Sequence, residues 1–127
     1  MQPLTHEWVD KAEGDFATAT RELRARRLPN YDAVCFHAQQ CAEKYLKARL
    51  QDAALPVPRT HDLEQLLDLI IPIELTWELL CPGLQVLTTY GVQVRYPGSS
   101  ANQSMAKDAA LHAHTIRKMV RAAFGLA

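Results

Sequence analysis

Neither sign of charge is in excess in this chain. Fourteen Lys and Arg balance 14 Asp and Glu, for a formal net charge of +0. That excludes nucleic-acid binding driven by bulk charge, although not a local basic patch. No apolar run reaches the roughly eighteen residues of a membrane span. The opening residues, Met1 to Glu7, lack the basic and apolar stretches of a signal peptide, so the expected location is cytoplasmic. Glycine is scarce, with five scattered residues, and no G-x-x-x-x-G-K-[ST] phosphate loop is present. Cysteine is limited to Cys35, Cys41 and Cys81. An odd count without a leader predicts reduced thiols. Cys35 and Cys41 lie about 120° apart on a helix and should not pair. No CxxC or HExxH spacing exists. His37 and Cys41 share a helix face, but two ligands are too few for a zinc site. A buried thiol beside a hydrogen-bonded histidine is the alternative, and no metal or cofactor is expected.

What is present reads as helix. At 127 residues, with 48% hydrophobic and 22% charged, the chain suits a single folded domain over residues 1–127. From about Thr5 to Arg27, the residues Leu4, Trp8, Ala12, Phe16, Ala19 and Leu23 form one apolar stripe. Glu7, Asp10, Glu13 and Asp15 come early and Arg21, Arg24, Arg26 and Arg27 late, matching the helix dipole. The late arginines could instead form a nucleic-acid patch. A second helix spans about Tyr31 to Ala53, capped by Asn30 or Asp32. Its apolar arc holds Val34, Cys35, Ala38, Cys41, Ala42, Tyr45 and Leu46. Its opposite arc holds His37, Gln39, Gln40, Glu43, Lys44 and Lys47, with Phe36 and Leu50 among them. Phe36 on a polar face predicts that this side meets a second subunit or a flanking segment.

Pro56 and Pro58 make a stiff connector. A short helix follows from about Asp62 to Ile71, with Thr60 or His61 near its cap. Ile73–Leu80 and Pro82–Gln93 read as a helix broken at Cys81-Pro82-Gly83. Arg95 to Asn102 is a loop by composition. The last helix spans about Gln103 to Phe124, with Met105, Ala109, His112, Ile116, Met119, Val120 and Ala123 inward. No strand signal rises above background. The expected fold is all-α: an up-and-down bundle of about five helices with two long antiparallel pairs.

The second helix reads Phe36-His37-Ala38-Gln39-Gln40-Cys41-Ala42-Glu43-Lys44-Tyr45-Leu46-Lys47-Ala48. It resembles the F-H-x-x-Q-x-A-E-K-x-L-K-A signature of HEPN domains, the nucleotide-binding domains of higher eukaryotes and prokaryotes. Trp8, Ala12 and Asp15 resemble the family's first helix. Thr60-His61-Asp62-Leu63 resembles its T-H-D-L segment, and Tyr90 with Arg95-Tyr96-Pro97 its Y…R-Y-P turn. Together these pieces cover nearly the whole chain in order. The resemblance implies a homodimeric helical bundle that partners a minimal nucleotidyltransferase in a toxin–antitoxin-like pair. It also implies a possible metal-independent endoribonuclease, built on an arginine followed within a few residues by a histidine. Arg95 matches the arginine. The next histidine, His112, comes only after sixteen residues, and Asn102 stands where the histidine is expected, after six. An asparagine amide moves no proton near neutral pH, so Arg95 and Asn102 would bind phosphate more readily than cleave RNA.

Two readings of the remaining candidates stay open. His37, Gln40 and Lys44 lie within about 60° on one stripe. They could bind a phosphate or a base edge, or form a polar seam inside a dimer. Arg95 could project toward a nucleotide or RNA, or anchor the turn on a carboxylate. Tyr96 could stack on a base or pack the loop onto the core. Among these readings, a binding module is favoured over a ribonuclease that would use Arg95 with Asn102 or His37.

Overall fold

The computed structural model describes residues 1–127 and contains helices without strands. Helix α1 spans Pro3–Arg24, α2 Tyr31–Asp52, α3 Leu63–Ile70, α4 Cys81–Gln93 and α5 Gln103–Ala123. A 3₁₀ segment, Leu75–Leu80, runs directly into α4. The bundle is all-α, as the periodicity predicts. Contacts between Trp8 and Lys47, and between Asp15 and His37, set α1 antiparallel to α2. Tyr90 with Asp108 and Gly83 with His112 set α4 antiparallel to α5. No helix is long and apolar enough to cross a membrane.

Side-chain chemistry sets the helix ends. Pro3 sits in the first turn of α1, where its missing N–H costs nothing. That helix stops at Arg24, a turn short of the expected Arg27, and Arg26 and Arg27 belong to the exposed connector. Asn30 caps α2, accepting from the Ala33 N–H at 3.0 Å. Asp32, the other candidate cap, instead accepts from the Ala101 N–H at 2.6 Å and ties the loop before α5 to α2. Asp62 caps α3 by accepting from Glu64 and Gln65, displacing Thr60 and His61 from that role. The helix α2 and the helix α5 end in the same Schellman geometry. In α5 the left-handed residue is Gly125, and the Leu126 N–H reaches the Arg121 carbonyl at 2.8 Å. In α2 it is Ala54, at φ 57, and the Leu55 N–H reaches the Leu50 carbonyl at 3.0 Å.

The helix at the centre of the bundle is α2. It packs on α1, α3, α4 and α5. The expected apolar arc is buried throughout, from Val34 to Leu46. The opposite arc, predicted to be polar, is largely buried too: Gln39, Glu43, Lys47 and Leu50 are all covered. The stripe of α1 is rotated from the expectation. Leu4 is exposed, while Thr5 and Val9 join Ala12 and Ala19 inside. In α5 the small residues Ala106, Ala109 and Ala113 are fully buried, with Ile116 and Val120. His112 is only half-buried and Ala123 is exposed. Alanines on this face let α5 approach α2 closely.

Candidate functional site

Two buried carboxylates organise the polar side of α2. Asp15, from α1, accepts from His37 Nδ1 at 2.7 Å through one oxygen and from Lys44 Nζ at 2.5 Å through the other. His37 and Lys44 lie two turns apart on α2, so a single carboxylate bridges them and locks α1 to α2. With Nδ1 donating to Asp15, the His37 Nε2 is left free on a partly exposed ring. The second carboxylate is Glu43. It accepts from His61 Nδ1 at 2.8 Å, from Lys47 Nζ at 3.2 Å and from Gln39 Nε2 at 3.3 Å. Gln39 also donates to the His61 carbonyl at 3.2 Å, pinning the segment before α3. Gln40 does not join Asp15. Its amide donates to Gln39 Oε1 at 2.8 Å, extending the Glu43 network.

Arg95 follows α4, and its guanidinium lies over the Phe36 ring, 5.6 Å from the centroid. Phe36 in turn meets His37 edge-on at 5.2 Å. The flanking segment anticipated from an aromatic on a polar face is therefore the Arg95 turn. None of the chain's ion pairs uses Arg95. Its side chain is exposed, and Tyr96 beside it is 65% exposed, so neither anchors the loop to the core. Asn102 accepts from the Met105 N–H at 2.9 Å and caps α5. Its oxygen thus has a structural task. The contacts bring Arg95, Phe36, His37, Asp15 and Lys44 into one continuous line. Gln40 flanks that line, and Asn102 sits at the start of α5.

The three other family-like pieces meet the fourth, α2. Trp8 from the first helix lies under Lys47, 5.7 Å from Nζ to the ring centroid. Asp15 holds His37 and Lys44, His61 holds Glu43, and Arg95 covers Phe36. A motif dispersed over the sequence is thus one contact network. The HEPN domain family model matches residues 5–123. This chain belongs to the HEPN domain family. The same fold is seen in TT1696 from Thermus thermophilus, whose crystal structure superposes with a TM-score of 0.77. The two share 24% identity, and the match covers 94% of this chain and 98% of TT1696. No curated protein matches the chain.

A third polar cluster of this HEPN domain escaped sequence reasoning. Glu13 accepts two hydrogen bonds from Arg117, each 2.7 Å, one from Tyr45 at 2.6 Å and one from Arg121 at 3.2 Å. The bidentate Arg117 fork holds the Glu13 carboxyl below its ordinary range, against a smaller upward push from burial. The same fork raises the Arg117 pKa. Its members come from α1, α2 and α5, and no motif in the sequence links them. The cysteines offer no nucleophile. Burial pushes Cys35 up to about 11 and Cys41 higher still, so both remain thiols at neutral pH. His112 reaches Asp108 at 3.3 Å while His114 stacks on Phe16, so the two point to different sides.

Proposed function

We propose that this HEPN domain is a dimeric module associated with nucleotide or nucleic acid, that it partners a minimal nucleotidyltransferase in a toxin–antitoxin-like pair, and that Arg95 is its phosphate contact. One observation carries the phosphate reading: an exposed guanidinium with no carboxylate partner, stacked on Phe36 and next to His37. Stacking orients the planar fork and leaves its N–H edge free for phosphate oxygens. Tyr96 extends the same edge as a surface for a base. The dimer and the nucleotidyltransferase partner rest on the family resemblance; the Arg95 turn covers Phe36 only in part, which leaves the rest of the ring for a second subunit.

Titration with ATP tests the contact. Loss of charge-assisted hydrogen bonds in Arg95→Ala should weaken binding about 10- to 100-fold. Equal affinity of the two proteins refutes the assignment. Sedimentation of Phe36→Asp tests the interface, with monomers expected and an unchanged profile counting against it.

One observation favours a second reading, a metal-independent ribonuclease. Asp15 orients His37 so that Nε2 is free, the arrangement a general base needs. In that reading His37 takes the 2′-hydroxyl proton as the 2′-oxygen attacks phosphorus, Arg95 steadies the charged phosphorus centre, and the bond to the 5′-oxygen breaks, that oxygen leaving with a proton from water. Incubation with total RNA in the absence of metal decides between the two. Cleavage that disappears in both His37→Asn and Arg95→Ala supports the enzyme. No cleavage by the wild type leaves the binding module.

A further inference from the structure

The net charge of +0 conceals a strong segregation along the chain. From Asp52 to Val94 there are six carboxylates and a single basic residue, Arg59. From Arg95 onward there are five basic residues and one carboxylate, Asp108. The fold sharpens this asymmetry, because the antiparallel approach of α1 and α5 brings Arg24 and Lys107 to one groove. This groove, of about 490 Å³, runs between the two helices. Arg24, Lys107, His114 and Arg117 line it, over a floor that includes Phe16 and Leu23. A second hollow of about 490 Å³ continues it past His114 and Arg117 to Lys118 and Arg121. No Asp or Glu side chain lines either part. Arg117 and Arg121 are partly neutralised by Glu13. Arg24, Lys107 and Lys118 are exposed and take part in none of the ion pairs.

The floor between these cations is aromatic. Phe16 stacks with His114, centroids 6.1 Å apart, and Arg117 covers its ring at 4.7 Å. His114 is exposed, so one face of the stack is open to solvent. From Lys107 to Arg121 the basic row extends about 21 Å along α5 at ~1.5 Å per residue. Free cations towards both ends of the groove, with the Glu13-paired arginines and an open π surface between them, suit a flexible strand of phosphates and bases. An acidic protein helix would use the charge but would leave the exposed ring unstacked.

We propose that the α1–α5 groove binds a single-stranded polynucleotide, with Arg24, Lys107 and Lys118 on its phosphates and His114 under a base. This site lies on a different face from Arg95 and does not depend on the nucleotide contact assigned there. The test is fluorescence anisotropy of an oligouridylate of about twenty nucleotides over a range of salt concentrations. Lys107→Gln with Lys118→Gln removes two exposed charges that hold nothing else in place. The log–log salt slope should fall by about 1.4, since each phosphate contact in a single strand contributes ~0.7. His114→Ala should weaken binding with the slope unchanged, and ATP affinity should not move in either variant. Equal slopes for wild type and the double lysine variant overturn the proposal, as does absence of oligouridylate binding. So does poly-glutamate competing as well as oligouridylate at equal charge, which would make the groove an acidic-protein site. Loss of oligouridylate binding in Arg95→Ala alone would put the strand at Arg95 and overturn the groove. ATP binding that fails while the lysine effect stands would refute the Arg95 reading and leave the groove intact.

Discussion

Replacing Glu43 by Gln probes the buried network that ties α2 to the segment before α3. The substitution preserves shape, so it opens no cavity. Glu43 is 3% exposed and Lys47 6% exposed, and the two side chains touch at 3.2 Å. Gln leaves the Lys47 ammonium buried without a counter-charge. It also turns an amide donor toward one of the three groups that now donate to the carboxylate. Breaking a buried pair from one side costs about 3–5 kcal/mol. For a chain of this length that is a drop in Tm of about 10–20 °C. Thermal and urea unfolding give the number. The companion variant sharpens the inference. Glu43→Gln combined with Lys47→Met removes the stranded charge, so the double variant should be more stable than Glu43→Gln alone. A loss below ~1 kcal/mol in the single variant, or no recovery in the double, would refute the view that this pair is buried and mutually dependent.

Four further outcomes follow from the same geometry. Ala54→Gly should raise stability by about 0.5–1 kcal/mol in urea unfolding, because Ala54 holds a left-handed φ of 57 where Gly125 does so without steric cost. Gly91→Ala should lower it by about 1 kcal/mol in the same assay. There a Cβ would meet the buried Gln39 Cγ at 2.9 Å. Glu13 has a folded-state pKa below its ordinary 4.5, so its stabilisation is complete above that pH and is lost as pH falls through the depressed value. Acid unfolding of Glu13→Gln should therefore be flatter below pH 4.5 than that of the wild type. Asn102→Ala should cost about 1 kcal/mol while Asn102→Asp keeps the cap. If the Asp variant keeps stability but loses ATP binding, Asn102 does more than cap α5.

Much of this architecture is legible in the sequence because helices are local. The 3.6-residue period, the prolines at 56, 58 and 82, and the capping Asn30 depend on neighbours a turn away; that Asn102 caps α5 is seen only in the structure. The order of the four family-like pieces is also a property of the string alone. Periodicity, however, reports a face and not what covers it. Gln39, Glu43 and Lys47 read as a polar arc that meets something through Phe36, but not as a buried one, because amphipathic helices usually keep such an arc in water. Here α2 sits at the centre of the bundle, and burial of its polar arc is tolerated only because each group finds a partner. Those partners are distant in sequence. His61 is 18 residues from Glu43, and His37 is 22 from Asp15. Arg117 is 104 residues from Glu13, which is why the Glu13 cluster left no trace in the pattern.

Charge divides in the same way. The string of residues alone tells that the whole chain is neutral, that the late arginines of the first helix suit its dipole and that an arginine precedes Tyr96 and Pro97. Which basic residues are paired and which are free emerges only when the helices pack. Arg117 and Arg121 are drawn to Glu13 and Lys44 to Asp15, while Arg95, Arg24, Lys107 and Lys118 are left facing solvent. The reason is that an ion pair depends on distances of a few ångströms between side chains. Composition counts charges without regard to distance, and packing α1 against α2 and α5 sets those distances.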